Sequence, residues 1–305
     1  MRSPTFRTAV VRTPGGPDSI VILDVSLPQP GPGQVRISVA AAAVNPVDLG
    51  VANGLFHARG LVHQPERTGL GWDFAGTIDA IGPGVDVPLG TKVAGLIDGF
   101  DRDFGTYAEY LVISAADIAP VPDGLDLIRA ATVPLNGLAA AQILDLLGGP
   151  PVDANRLLVT GAAGALGGYL LSLAPDRGWD VTGLARTEDE AFVRSLGAAF
   201  TDKADPGWDA VADAAAQQQQ ALALVRDGGK FVGVQPGAEP TPEREVTVTA
   251  VITHPDGPRL GELLTRAATG TLPTRIHAVL PLEQAGDAHR TMAKGGVRGR
   301  FVLTP

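Results

Sequence analysis

The chain has no cysteine. Disulfides, thiol nucleophiles, iron–sulfur clusters and every cysteine-ligated zinc site are excluded together, and no metal is expected. Positive charge is scarce: Lys and Arg total 24 against 33 Asp and Glu, for a net charge of −9. A nucleic-acid binder displaces phosphate counterions with Lys and Arg, so that class of partner is not expected. No apolar run approaches the roughly 18 residues of a membrane span, and no membrane association is expected. The opening Met1-Arg2-Ser3-Pro4-Thr5-Phe6-Arg7 runs into strand-like sequence without the apolar centre of a signal peptide. A cytoplasmic protein is the expectation.

What is present falls into two patterns. A chain of 305 residues accommodates about two domains. To about residue 122, short β-prone runs (8–11, 20–25, 35–41, 74–81, 92–97 and 107–113) are separated by turns such as Pro14-Gly15-Gly16-Pro17. That pattern predicts a barrel-like β domain. From about residue 125 the period changes. Residues 126–147 carry apolar positions at helical spacing as an interrupted two-helix stretch. Strands at 156–160, 180–185, 210–212 and 229–234 then alternate with helices at 169–174 and 188–196. Such alternation predicts βαβ units and a parallel sheet covered on both faces. A helix over 259–269 stops at Gly270, and the tail reads strand, helix, strand over 278–280, 283–292 and 300–303. The tail either extends the α/β region or returns to the first one. The glutamine run 217–220 reads as solvated surface.

The strongest chemical signal is Gly161-Ala162-Ala163-Gly164-Ala165-Leu166-Gly167 after the apolar strand 156–160. A dinucleotide site needs a tight turn off a strand, backbone without Cβ beside the pyrophosphate, and a helix N-terminus aimed at the anion. Ala162, Gly164 and Gly167 occupy the three fingerprint positions, with Ala in place of the first Gly. The strand before and the helix after supply the context that a lone glycine triplet lacks. The next strand ends in Arg186-Thr187, with no acid at the turn to hold a ribose hydroxyl. NADPH is therefore expected over NADH. Glu188, Asp189 and Glu190 follow at once; they repel a phosphate if they face it, or favour a helix N-terminus if they do not.

Further motifs resemble a known family. Asn45-Pro46-Val47-Asp48, Gly71-Trp72-Asp73-Phe74-Ala75-Gly76, Ile81-Gly82-Pro83-Gly84-Val85, Gly105-Thr106-Tyr107-Ala108-Glu109-Tyr110, Val133-Pro134-Leu135-Asn136-Gly137-Leu138 and Arg298-Gly299-Arg300-Phe301-Val302-Leu303 occur in order along essentially the whole chain. They resemble the zinc-free medium-chain dehydrogenase/reductases, the quinone oxidoreductase-like branch above all. The resemblance implies a GroES-like β-barrel domain over 1–122, a Rossmann doubly wound parallel-sheet domain over 123–270, and a C-terminal return to the first domain over 271–305. It also implies a homodimer. Zinc-dependent relatives carry Gly-His-Glu where this chain has Gly71-Trp72-Asp73. Enoyl-thioester reductases place a Tyr where Phe56 stands, and a Lys usual in quinone reductases is replaced within Glu188, Asp189 and Glu190. Thr91 stands where the relatives carry Asp.

Without zinc, hydride transfer from nicotinamide C4 suits an acceptor that delocalises the incoming charge onto oxygen, a quinone or an α,β-unsaturated carbonyl. Asn45 is the first catalytic candidate, by resemblance beside the nicotinamide; a turn before Pro46 is its other reading. Asp48 is the second, or an organiser of that loop. Phe56, Trp72 and Phe104 are expected to wall a flat apolar pocket, or to pack as ordinary core. The cofactor set is Asn45, Asn136, Ala162, Ala163, Gly164, Ala165, Leu166, Gly167, Arg186, Thr187, Val234 and Gln235. Tyr107 and Tyr110 read as scaffold, and His57 and His63 as loop residues with proton-donor chemistry. Two other functions fit the same fold: an enoyl-thioester or tailoring reductase, and a non-catalytic NADPH-binding sensor.

Overall fold

Val35, Ile37, Val39 and Ala41 alternate with Arg36, Ser38 and Ala40 along one strand, and all four are buried. That two-residue period sets the first part of the molecule. The computed structural model describes residues 4–305; residues 1–3, the head of the segment read as leading into a strand, lie outside the described residues. The chain divides into two units. One comprises Met1–Leu135, Pro255–Thr269 and Thr274–Pro305; the other comprises Asn136–His254 and Gly270–Pro273.

In chain order, β1 (Thr5–Val11), β2 (Ile20–Ser26), β3 (Gln34–Ala43), α1 (Pro46–Ala52), α2 (Leu55–Ala58), β4 (Thr68–Gly69), β5 (Asp73–Ile81), β6 (Lys92–Leu96), β7 (Tyr110–Ser114), β8 (Ile118–Pro120) and α3 (Leu127–Ala130) lie in the first unit. Next comes α4 (Pro134–Leu147), whose first two residues belong to that unit. The second unit continues with β9 (Arg156–Thr160), α5 (Ala165–Leu173), β10 (Asp180–Leu184), α6 (Glu190–Ser195), β11 (Ala199–Thr201), β12 (Trp208–Asp213), α7 (Gln219–Leu222), β13 (Val225–Gly233) and β14 (Thr247–Ala250). α8 (Gly257–Ala268), β15 (Ile276–Pro281), α9 (Ala285–Ala293) and β16 (Arg300–Thr304) belong again to the first.

In the first unit, β2, β1 and β4 form a small sheet, and a larger one runs β15-β16-β3-β5-β6-β8, with β7 also on β3. The register of β3 against β5 shifts between Arg36 and Ile37 and again between Val39 and Ala41. At the second shift a Cβ on Gly76 would stand 2.3 Å from the Ser38 carbonyl oxygen, so the bend needs glycine there. The tail joins this unit: β16 runs antiparallel to β3, with Val302 opposite Ala43 and Leu303 opposite Ala42. The strand expected over 107–113 begins only at Tyr110. Residues 107–109 bond to β1 instead, through Ala9 N–H to the Tyr107 carbonyl and Glu109 N–H to that of Arg7. This turns the Tyr107 ring into the core.

In the second unit the order is β11-β10-β9-β12-β13-β14, parallel throughout, as the strand–helix alternation predicts. Leu157, Leu158 and Val159 are fully buried in succession, the signature of a strand covered on both faces. The helix read over 188–196 opens as a tight turn, Thr187–Asp189, before α6. β14 escaped the sequence reading because four residues are too short to show a period. Strand order reverses at β9: the chain goes to β10 on one side, then returns to β12 on the other. Ligands of open α/β sheets bind at such a reversal, beyond the carboxyl ends of the strands.

Candidate functional site

Two loops leave that reversal, one after β9 and one after β12. They are tied to each other. Thr160 Oγ1 donates to Asp213 Oδ1 at 2.6 Å and accepts from Ala215 N–H at 3.2 Å. Asp213 Oδ2 in turn accepts from Gln218 N–H at 2.7 Å. The glycine loop is closed by Gly164 N–H to the Gly161 carbonyl (2.8 Å) and held to β10 by Ala162 N–H to that of Leu184 (3.2 Å). Gly161 has φ +59. A Cβ on Gly167 would lie 2.2 Å from the Gly161 oxygen, and one on Gly183 would lie 2.8 Å from Ala162 Cβ. The loop is thus as close to strand and helix as bare backbone permits. α5 starts at Ala165, and the first amides of a helix have no partners within it. Ala165 and Leu166 carry those amides over the loop, a cradle that fits a pyrophosphate, while the Gly164 amide is spent on closing the turn.

At the carboxyl end of β10, Arg186 and Thr187 are exposed. The Arg186 guanidinium is 3.7 Å from Glu188 Oε1, and both side chains are mostly in solvent. Glu190 is engaged with Arg194 at 2.7 Å, and Asp189 is buried. Of the three acids, Glu188 is therefore the one beside Arg186. Thr187 Oγ1 donates to Asp202 at 3.1 Å. Beyond β13, Val234 is half-buried and Gln235 is exposed. The Gln235 amide oxygen accepts from Gln218 Nε2 at 2.6 Å, and the same nitrogen donates to the Ala238 carbonyl at 2.7 Å. Gln218 has φ +54, a left-handed value for a residue that is not glycine. The glutamine run is thus partly built into the loop end, which its composition did not signal. Asn136 lies buried in the first turn of α4.

The first unit holds a buried polar chain. Asn45 caps α1: its N–H donates to Asp48 Oδ2 at 2.9 Å in a reciprocal capping box. Its Nδ2 donates to Asp73 Oδ2 at 2.8 Å. Asp73 Oδ1 also accepts from the Leu135 amide in the first turn of α4. Asp48 accepts from Gly71 N–H (2.9 Å) and from the Tyr107 hydroxyl (3.0 Å). His289 of α9 stands 3.3 Å from that hydroxyl through Nε2. The hydroxyl has one proton and gives it to Asp48, so Nε2 carries the histidine proton. Burial dominates the ionisation of the whole chain. It pushes Asp48 up to about 6 and Asp73 up to about 7, against the pull of their amide donors. It raises Tyr107 further above its ordinary range and presses His289 down to about 4.

Next to this chain, Phe56 stacks on Phe100 with ring centroids 3.8 Å apart, and Trp72 meets Phe100 edge to face at 5.2 Å. The Arg102 guanidinium lies over the Trp72 ring at 4.7 Å. Phe56 and Trp72 are thus brought together, through a Phe100 that sequence reasoning missed. Phe104 makes its ring contacts with Phe6 and the Arg67 guanidinium instead. His57 Nε2 lies 3.2 Å from Thr68 Oγ1. His63 is exposed and pairs with Asp101. Tyr107, Asp73 and His289 were missed as one network because only the fold joins residues so far apart in sequence.

Residues 31–123 match the family model of the alcohol dehydrogenase GroES-like domain, and residues 178–303 match that of the zinc-binding dehydrogenases. No group of three or more His, Cys, Asp or Glu residues that could hold a metal ion occurs among the described residues, and Trp72 stands where the resemblance puts the histidine of zinc-dependent relatives. The chain is 27% identical to the 2-haloacrylate reductase of a Burkholderia species, covering 97% of this chain and 98% of that one. It is 30% identical, over 89% of its length, to the polyketide synthase GfsB of Streptomyces halstedii, and spans 5% of that protein. The quinone oxidoreductase of Coxiella burnetii superposes with a TM-score of 0.87 at 26% identity, covering 99% of this chain and 100% of that one. No helix among the described residues is long and apolar enough to cross a membrane. With a GroES-like first unit, an all-parallel second unit and these likenesses along its length, the chain belongs to the medium-chain dehydrogenase/reductase superfamily.

Proposed function

We propose that the protein is an NADPH-dependent reductase of quinones or α,β-unsaturated carbonyl compounds that works without zinc. The observation that carries the reading is the Cβ-free cradle of Gly161, Gly164 and Gly167 at the strand-order reversal. Ala165 and Leu166 would hold the pyrophosphate with backbone amides, over the turn that Ala163 and Gly164 form. Arg186, exposed at the end of β10 where NAD enzymes carry an acid, would take the 2′-phosphate, with Thr187 beside it. Val234, Gln235 and Asn136 complete the set proposed to line the cofactor.

The bound nicotinamide would supply a hydride. The residues' own task is to bind a flat acceptor, keep water away and stabilise the charge that gathers on its oxygen. Phe56 and Trp72 are proposed for the first two roles. Asn45 and Asp48 are assigned to positioning: the Asn45 amide is fixed by Asp73, and the Asp48 carboxylate pins the turn at Gly71. Likeness to a 2-haloacrylate reductase, whose name specifies an activated alkene, supports the carbon–carbon double bond as the target. The second reading is an acyl-thioester alkene, the substrate of the enoyl-thioester reductases that share this fold. Phe56 stands where thioester reductases carry Tyr and has no proton to give.

The test is loss of reduced-nicotinamide absorbance with phenanthrenequinone, cyclohexenone and crotonyl-coenzyme A, using NADPH and NADH, in wild type and Arg186→Ala. Turnover of the first two acceptors with NADPH is expected. Arg186→Ala should lower the preference for NADPH by about tenfold, in line with an exposed charge-assisted contact. Consumption with crotonyl-coenzyme A alone would move the assignment to the thioester reading. Tight NADPH binding without any turnover would make the protein a sensor.

A further inference from the structure

The chain has three tryptophans, Trp72, Trp179 and Trp208. The Trp179 indole donates to the Gly148 carbonyl at 3.1 Å, and that of Trp208 donates to the Asp205 carbonyl at 3.0 Å. The Trp72 indole N–H is buried without a hydrogen-bond partner, on a residue only 6% exposed. Tryptophan is placed in a core where its N–H finds an acceptor, and a buried donor that lacks one calls for a reason.

The surroundings of Trp72 supply one. Its ring face carries the Arg102 guanidinium, which is itself fixed by the carbonyls of Gly71, Asp98 and Gly99 at 2.6–3.0 Å. A cation over the ring draws electron density out of the indole and strengthens the N–H as a donor. The other neighbour is the half-buried ring of Phe100, flat against Phe56 with an interplanar angle of 23°. Phe100 belongs to the loop between β6 and β7 and follows Gly99, which has φ +81. A planar conjugated molecule has the shape to replace that ring on the Phe56 face.

We propose that the Trp72 indole N–H is the hydrogen-bond donor to the acceptor's carbonyl oxygen, in the slot that the Phe100 ring occupies here. The proposal rests on the reductase reading and names the group that reading lacks. In the step itself, the β-carbon gains hydride from a reduced nicotinamide and the alkene π pair shifts toward the carbonyl. The oxygen becomes an enolate oxygen facing the indole N–H. Water then protonates the α-carbon, and the indole keeps its own proton throughout. Between the Phe56 and Trp72 rings one such donor would act with little competition from solvent.

The decisive experiment is a proton–nitrogen NMR titration of the full, cofactor-free chain with cyclohexenone, and with cyclohexene as the oxygen-free control. The Trp72 indole signal is identified by its absence in Trp72→Phe or by through-bond assignment in wild type. It should move downfield with cyclohexenone and not with cyclohexene, while the Trp179 and Trp208 signals stay in place. A Trp72 signal that does not move, or that moves equally with cyclohexene, overturns the assignment. In turnover, Trp72→Phe keeps a ring beside Phe100 and should lower kcat for cyclohexenone roughly 100-fold with NADPH affinity unchanged. An unchanged kcat overturns it as well. Absence of turnover in wild type would sink the reductase reading alone, since the titration needs no cofactor.

Discussion

The two units build their chemistry from opposite materials. In the second, the cradle at the end of β9 is backbone: its decisive residues are those that lack side chains, and a Cβ at Gly167 would collide with the Gly161 oxygen at 2.2 Å. In the first, everything is side chain. Asn45, Asp48, Asp73, Tyr107 and His289 form one buried chain of hydrogen bonds. A backbone cradle binds any pyrophosphate and is indifferent to proton concentration. A buried carboxyl chain fixes geometry but responds to pH. The difference matches the two proposed tasks, holding a nucleotide in general and shaping the place of one particular acceptor.

The largest effect that would sharpen this contrast is expected at Gly167. Gly167→Val forces the loop off the helix by ångströms, and misplacement on that scale costs about 100-fold or more in function. Binding of NADPH, followed by fluorescence, should fall by at least that factor while β-strand circular dichroism persists. Unaltered affinity would show that the loop does not hold the nucleotide.

The next effect belongs to the carboxyl chain. Both carboxyls are raised in the folded state, so the folded protein keeps protons that the unfolded chain has released. Their contribution to stability is complete below pH about 4, and is lost as pH rises through about 6 for Asp48 and about 7 for Asp73. His289 runs the other way. Held down at about 4, it contributes above its ordinary value and loses that contribution as pH falls toward 4. Asp48→Asn leaves one donor facing an amide nitrogen and should cost about 1–3 kcal/mol at pH 5. It should also flatten the decline in melting temperature between pH 5 and 7. A variant whose melting curve tracks wild type across that range would remove Asp48 from the titrating network.

The smallest effect concerns Gln218, where side chain and strained backbone meet. A non-glycine residue in the left-handed region carries about 1–3 kcal/mol of strain, against about 0.5–1.5 kcal/mol for each hydrogen bond its amide makes. Gln218→Gly should therefore leave the urea midpoint nearly unchanged, while Gln218→Ala lowers it. Equal losses in both would mean that the side-chain bonds to Gln235 and Ala238 dominate, and that the strain is slight.

Much of this was legible in the sequence because its cause is local. The β-prone run of β3 between its turns, the unbroken apolar run of β9 and the glycine spacing after it each act over a handful of neighbouring positions. Composition excluded cysteine-ligated metal chemistry before any fold was known. Steric and conformational rules for neighbours on the chain need no tertiary partner, so they write themselves into the order of residues. Only the folded chain decided the rest. It set the tail beside β3, drew residues 107–109 to β1, turned Gln218 inward, and placed Phe100 between Phe56 and Trp72. It also joined Asn45 to Asp73 and Tyr107 to His289, partners 28 and 182 positions apart. Hydrogen bonds and ring contacts act over a few ångströms of space, and which distant residues come that close depends on how the whole sheet registers and twists.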